Sequence, residues 1–107
     1  MELLTAELRE QLPPLYATDK TDTAEKLIVT KFFFPAGVWT WFAVEGEQKT
    51  GDFIFFGYVV GDFPEWGYFS LNELEGINIR GLRVERDLHF KPGKFKDVLE
   101  KFRQELS

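Results

Sequence analysis

Residues 39 to 70 constrain this fold more than any other stretch of the chain. Trp39-Thr40-Trp41-Phe42, Phe53-Ile54-Phe55-Phe56-Gly57-Tyr58 and Trp66-Gly67-Tyr68-Phe69 follow one another there, and 14 of the 18 aromatic residues lie between Phe32 and Phe69. Short aromatic runs separated by glycines and polar turns fit a pleated sheet, because such side chains pack well on its half-buried surface.

The flanking sequence supplies the other elements. Leu27 to Phe34 is expected as a first strand, turned by Pro35-Ala36-Gly37, and Trp39 to Glu45 as a second. Alternation sets Trp39, Trp41 and Ala43 against Thr40, Phe42 and Val44. Gly46 to Gly51 reads as a polar hairpin loop and Phe53 to Val60 as a third strand, with Phe53, Phe55 and Val59 opposite Ile54, Phe56, Tyr58 and Val60. Both of its faces are apolar, so it should be central and covered on both sides. Gly57 marks a bulge or a close approach by another element. Gly61 to Pro64 turns into a fourth strand, Trp66 to Phe69.

Helices bracket the sheet. Thr5 caps a short helix whose stripe is Leu4, Leu8 and Leu12, and Pro13-Pro14 ends it. Leu15-Tyr16 should tuck back onto the core, and Thr18 to Glu25 is polar loop. Ser70-Leu71-Asn72-Glu73 has capping-box spacing and opens a helix to Glu75, closed by Gly76. Ile77 to Gly81 is a connection and Leu82 to Phe90 a fifth strand or extended arm. After Lys91-Pro92-Gly93, Phe95, Val98, Leu99, Phe102 and Leu106 form the apolar face of a last helix, with Lys96/Glu100 and Asp97/Lys101 as surface pairs. The expected fold is α+β: residues 1–107 as a single globular domain, a twisted antiparallel sheet of four to five strands, and N-terminal, short middle and C-terminal helices packed on its apolar face.

Composition narrows the chemistry. With no cysteine, disulfides and thiolate catalysis are excluded. No apolar run approaches the roughly 20 residues of a membrane span, and Met1 to Thr5 does not read as a leader, so a cytoplasmic protein is expected. From Arg80 to Arg103 eight basic residues face four acidic ones, a local charge of +4 that leaves −9 for the rest of a chain totalling −5. Such asymmetry can steer a partner.

Leu12-Pro13-Pro14-Leu15-Tyr16-Ala17-Thr18, Lys31-Phe32-Phe33, Trp39-Thr40-Trp41, Phe55-Phe56-Gly57-Tyr58-Val59, Gly67 to Leu74 and Glu85-Arg86-Asp87-Leu88-His89-Phe90 together resemble a small bacterial family catalogued as domain of unknown function 2958. The resemblance spans nearly the whole chain. It implies an accessory protein of plasmids, integrative elements and phages, and carries no established reaction.

Three sites compete. The loop acids Glu45, Glu47, Asp52, Asp62 and Glu65 would present a negative patch to a basic groove such as a nuclease uses for its substrate, with Trp39, Trp41 and Trp66 as anchors. Glu85, Arg86, Asp87 and His89 form the second: on an extended strand Glu85, Asp87 and His89 share a face, placed for a metal or for proton transfer. It holds the only histidine and matches no metal-binding motif, so the plainer reading is a salt-bridged edge strand. Third, Trp39, Trp41, Tyr58, Trp66 and Tyr68 would stack bases beside the basic segment, as a single-stranded nucleic-acid binder does, although the acidic loops argue against phosphate. The leading expectation is a protein-binding accessory protein without cofactor or metal, its partner host- or element-encoded. It would inhibit a defence nuclease in the anti-restriction or anti-CRISPR manner. An edge strand would also suit a homodimer.

Overall fold

The computed structural model describes residues 1–107. In chain order it forms α1 (Ala6–Gln11), a 3-10 turn (Thr23–Glu25), β1 (Leu27–Ile28), β2 (Thr30–Phe33), β3 (Thr40–Lys49), β4 (Asp52–Val60), β5 (Pro64–Ser70), α2 (Leu71–Gly76), β6 (Asn78–Ile79), β7 (Leu82–Arg83), β8 (Glu85–Arg86), β9 (Gly93–Lys94) and α3 (Phe95–Leu106). Five strands make one antiparallel sheet in the order β5-β4-β3-β2-β8, and β1–β9 and β6–β7 are two-stranded pairs. The fold is α+β, as its sequence pattern predicts.

Each face of the sheet has its own core. Trp41, Ala43, Phe53, Phe55 and Phe69 pack beneath Leu3, Leu4, Leu12 and the α2 residue Leu74. On the opposite face Phe42, Val44 and Tyr58 meet Ile28 and the α3 residue Phe102, with Phe95, Val98 and Leu99 around them. The period-two reading of Phe53 to Val60 therefore holds, and β4 lies inside the sheet with apolar contacts on both sides. The helices do not share one face as expected: α1 and α2 cover one side and α3 the other, because both sides of β3 and β4 are apolar and each needs a cover.

Local chemistry sets the helix starts. The Thr5 hydroxyl accepts the Leu8 amide at 3.1 Å, and the Ser70 hydroxyl accepts the Glu73 amide at 3.1 Å. On α3 the expected surface pairs give way to longer-range ones, since Lys96 and Lys94 both reach Glu25, at 3.0 and 3.1 Å. Leu106, assigned to the apolar face, is exposed where that helix runs past the core.

Several boundaries move for physical reasons. Leu27 to Phe34 is two strands, not one. Leu27 and Ile28 pair with Lys94 and Gly93, Val29 donates to the Ala43 carbonyl at 2.8 Å, and Thr30 to Phe33 join the main sheet. Gly46 to Gly51 is not a loop. Pairing of β3 with β4 continues from Gly46↔Phe55 to Lys49↔Asp52, and only Thr50 and Gly51 turn, Gly51 at φ +75°, a value glycine adopts without strain. Leu82 to Phe90 breaks into β7 and β8 and then a turn, while Ile77 to Gly81 contributes β6.

The main irregularity is a bulge. Ala43 faces Gly57, but Glu45 faces Phe56, so Val44 is an extra residue in β3. The Phe42 carbonyl crowds the position a Cβ would take on Gly57, which is why that strand has a glycine there. Beyond the bulge the alternation inverts: Glu45 and Glu47 lie on the α3 side with Phe56 and Ile54, and Gly46 turns to the other side against Phe53 and Leu12.

Candidate functional site

The acidic residues expected at loop tips occupy three different settings. Glu45 is 2% exposed. Its carboxylate accepts the Tyr16 amide at 2.8 Å, the Thr18 amide at 2.9 Å and the Thr18 hydroxyl. The buried Lys26 ammonium reaches the Thr18 hydroxyl at 3.1 Å, so a cation sits one hydroxyl away from the carboxylate. Buried charge needs such company, because desolvation costs several kcal/mol per ion when nothing repays it.

Glu47 accepts the Leu15 amide at 3.2 Å and pairs with Lys49 at 2.9 Å. The Lys49 ammonium chiefly, with help from Leu15, holds the Glu47 carboxyl below its ordinary value. Partial desolvation is the largest single influence on Asp52 and raises its pKa. The Asn72 amide, the Ser70 hydroxyl and the Phe53 amide together outweigh it and lower the net value. Glu45 and Glu47 bind the segment Leu15–Thr18 over the edge of β3, where the Pro13 carbonyl also accepts the Gly46 amide at 2.9 Å, while Asp52 ties the start of α2 to the hairpin. These three acids are structural anchors rather than free tips. Asp62 and Glu65 remain exposed, at the other end of the hairpin.

The wrapped segment presents a tyrosine. Tyr16 has φ +72°, the left-handed region that a bulky residue enters only at a cost of about 1–2 kcal/mol. It does not tuck into the core as expected; the residue is 62% exposed, and its ring lies 6.5 Å from that of Tyr68, a residue 55% exposed. The neighbouring Tyr16 phenol, with some desolvation, raises the Tyr68 phenol above its ordinary value.

The tryptophans separate too. Trp66 is packed on the α3 side, 5.7 Å from Phe56 and 4.8 Å from Phe95, so it is not a free anchor. Trp39 and Trp41 stack 5.8 Å apart on the opposite side. The five aromatics proposed as one base-stacking platform therefore straddle the sheet, and Tyr58 and Trp41 among them are buried.

Trp39 marks a cleft. A 330 Å³ cavity is walled by Trp39, Trp41, Phe34 and Phe69, and closed by Leu74, Ile77 and Ile79. Its one charged lining residue is Glu73, whose amide bonds the Ser70 hydroxyl but whose carboxylate does not reach back to complete the expected capping box. Trp39 is 42% exposed, and its ring occupies the space where Gly61 would carry a Cβ, so the glycine lets the indole lie flat beside the turn. Phe63 in that turn is 80% exposed, and Asp62 and Glu65 flank it. Size and lining match small binding clefts, which are mostly apolar with few polar groups. Of the residues named from sequence, Trp39 and Trp41 line the cleft, and Asp62 and Glu65 lie on the turn beside it. Glu73, Ile77 and Ile79 are not legible in sequence, because only the return of the chain through α2 and β6 brings them to Trp39.

The segment Glu85–His89 does not meet in one place: Asp87 and His89 line one pocket, Arg86 and Asp87 another, and Glu85 a third. Glu85 lies beside Met1 and Arg83, Arg86 donates to the carbonyls of Glu2 and Leu3, and Asp87 pairs with Lys31 at 3.4 Å. His89 falls in the turn after β8, where alternation no longer applies, and its amide donates to Asp87 at 2.9 Å. No three His, Asp or Glu side chains converge as metal ligands. The salt-bridged edge strand is the better description of this stretch.

No helix is long and apolar enough to cross a membrane. The family model described as "Protein of unknown function (DUF2958)" matches residues 3–100, and the chain belongs to that family. No curated protein and no solved structure matches.

Proposed function

We propose that this family member works by binding another protein, and that the contact surface is the Trp39 cleft with the turn beside it. One observation carries the reading: a 330 Å³ apolar cavity stands open beside a stacked, part-exposed tryptophan. Exposed aromatic anchors next to pockets are where interface energy concentrates. Glu73 in the cleft and Asp62 and Glu65 on the nearby turn are acidic. The matching occupant is an apolar side chain with a lysine or arginine next to it. A protein with a basic nucleic-acid groove offers that combination, which keeps inhibition of a defence nuclease as the specific form of this proposal. The role belongs to Trp39, Glu73, Asp62 and Glu65, and the acids at the far end serve the fold.

The test is capture from lysate of a host strain with nuclease added, comparing the unaltered chain with Trp39→Ala and Glu73→Gln. The expected result is one stoichiometric protein that survives nuclease and binds the Trp39→Ala chain about thirtyfold more weakly, corresponding to about 2 kcal/mol. Capture of nothing, or equal capture by the variants, refutes it.

A further inference from the structure

We propose that a second, separate pocket binds a phosphoryl oxyanion. It lies between β2, the turn after β8 and α3, on the face opposite the Trp39 cleft. Three segments contribute lysines to its lining, Lys31 from β2, Lys91 after the turn and Lys101 from α3, and His89 lines it too. Two carboxylates, Asp87 and Glu105, share the lining. Three ammonium groups against two carboxylates leave an excess positive charge in a protein whose total is −5.

The arrangement of these groups matters more than their number. Asp87 is committed: it bridges Lys31 at 3.4 Å and accepts the His89 amide at 2.9 Å. That pair fixes the Lys31 ammonium, which also lies 5.4 Å over the Phe102 ring. Lys91 and Lys101 have no carboxylate within ion-pair distance, so their donors are free. The floor is apolar, made by Phe42 and Phe102, and a charge beside such a surface is screened less than in bulk water.

The cavity of 190 Å³ corresponds to about six waters at roughly 30 Å³ each. That accommodates a phosphate or diphosphate group and excludes most of a nucleoside. A phosphoryl oxyanion offers more acceptor oxygens and more negative charge to several ammonium donors than a single carboxylate does. Free phosphate compounds and the backbone phosphate of a single strand present the same chemistry.

The test follows amide and imidazole resonances of the full chain during titration with inorganic pyrophosphate, at ionic strength matched by sodium chloride. Saturable shifts at His89, Lys91 and Lys101 are expected. In the double variant Lys91→Gln, Lys101→Gln, whose two side chains are exposed and leave the core untouched, affinity should fall about tenfold or more. A short oligothymidylate is titrated in parallel. Binding tighter than pyrophosphate, and lost in the same double variant, assigns the site to nucleic-acid phosphate; weaker binding assigns it to a free anion. Shifts that sodium chloride reproduces, or that the double variant retains in full, overturn the proposal.

Discussion

The two ends of the β3–β4 ribbon reverse their sequence appearance. The end at Glu45, Glu47 and Asp52 is rich in acids, yet each of these side chains is held by backbone amides of another segment. The far end lies about 27 Å away along β4, eight residues at roughly 3.4 Å each. It carries Trp39 and Phe63, which resemble core, and there they stand exposed. Acidic residues became fasteners, one of them buried, and two aromatic residues became surface. The difference shows that polarity alone does not sort a small sheet protein into inside and outside. What decides is which backbone amides lack partners nearby, and whether any element remains to cover an aromatic.

The largest effect should come from breaking the fastened end. Glu45→Ala removes the acceptor of three hydrogen bonds and leaves the buried Lys26 without its nearby carboxylate, and should cost about 3 kcal/mol or more. For a domain of this size that lowers Tm by on the order of 10–20 °C in a thermal melt. Trp39→Ala at the other end is expected to move Tm by only a few degrees despite removing a larger side chain. Equal losses at the two positions would erase the contrast.

A smaller effect separates backbone from ring at Tyr16. Tyr16→Gly relieves the left-handed strain, about 1–2 kcal/mol, and gives back part of it through the greater freedom of glycine in the unfolded chain. Urea denaturation should therefore place the variant within about 1 kcal/mol of the parent, although an aromatic contact is lost. A deficit of several kcal/mol would mean that the ring, not the Glu45 anchor, holds the segment in place.

The smallest effect is on pH. Asp52 and Glu47 titrate below their ordinary values of 3.8 and 4.5, and Glu25 does so chiefly through its bonds to Lys96 and Lys94. A carboxylate whose folded pKa is depressed contributes stability that is complete above its unfolded value and lost as pH falls through the folded one. Stability should thus decline as pH drops below about 4.5, and Asp52→Asn should make that decline shallower in urea midpoints measured from pH 6 to pH 3. An unchanged slope would mean that Asp52 contributes no fastening.

Much of the architecture was legible because aromatic alternation reports directly on sheet geometry. The two-faced pattern of Phe53 to Val60, the Thr5 and Ser70 caps and the apolar stripe of α3 all rest on contacts a few residues apart. The site was legible in half. Trp39 and Trp41 stand out by type as candidates for the proposed binding surface, whereas Glu73, Ile77 and Ile79 have no local signature that would assign them to the cleft. Glu85, Asp87 and His89 looked like a cluster because strand spacing was extrapolated to His89, which lies in the turn beyond Asp87, the last residue whose amide bonds to β2.

The sequence by itself determined the fold class, the cores of β3, β4 and β5 and the two apolar faces of β4, since side-chain period and turn chemistry are local properties. Tertiary structure alone decided where the charges went. One extra residue at Val44 inverts every later side chain of β3, and that inversion turns Glu45 toward the amides of Tyr16 and Thr18. A bulge depends on what the neighbouring strand and the crossing segment require, and pairing partners are set by the whole chain.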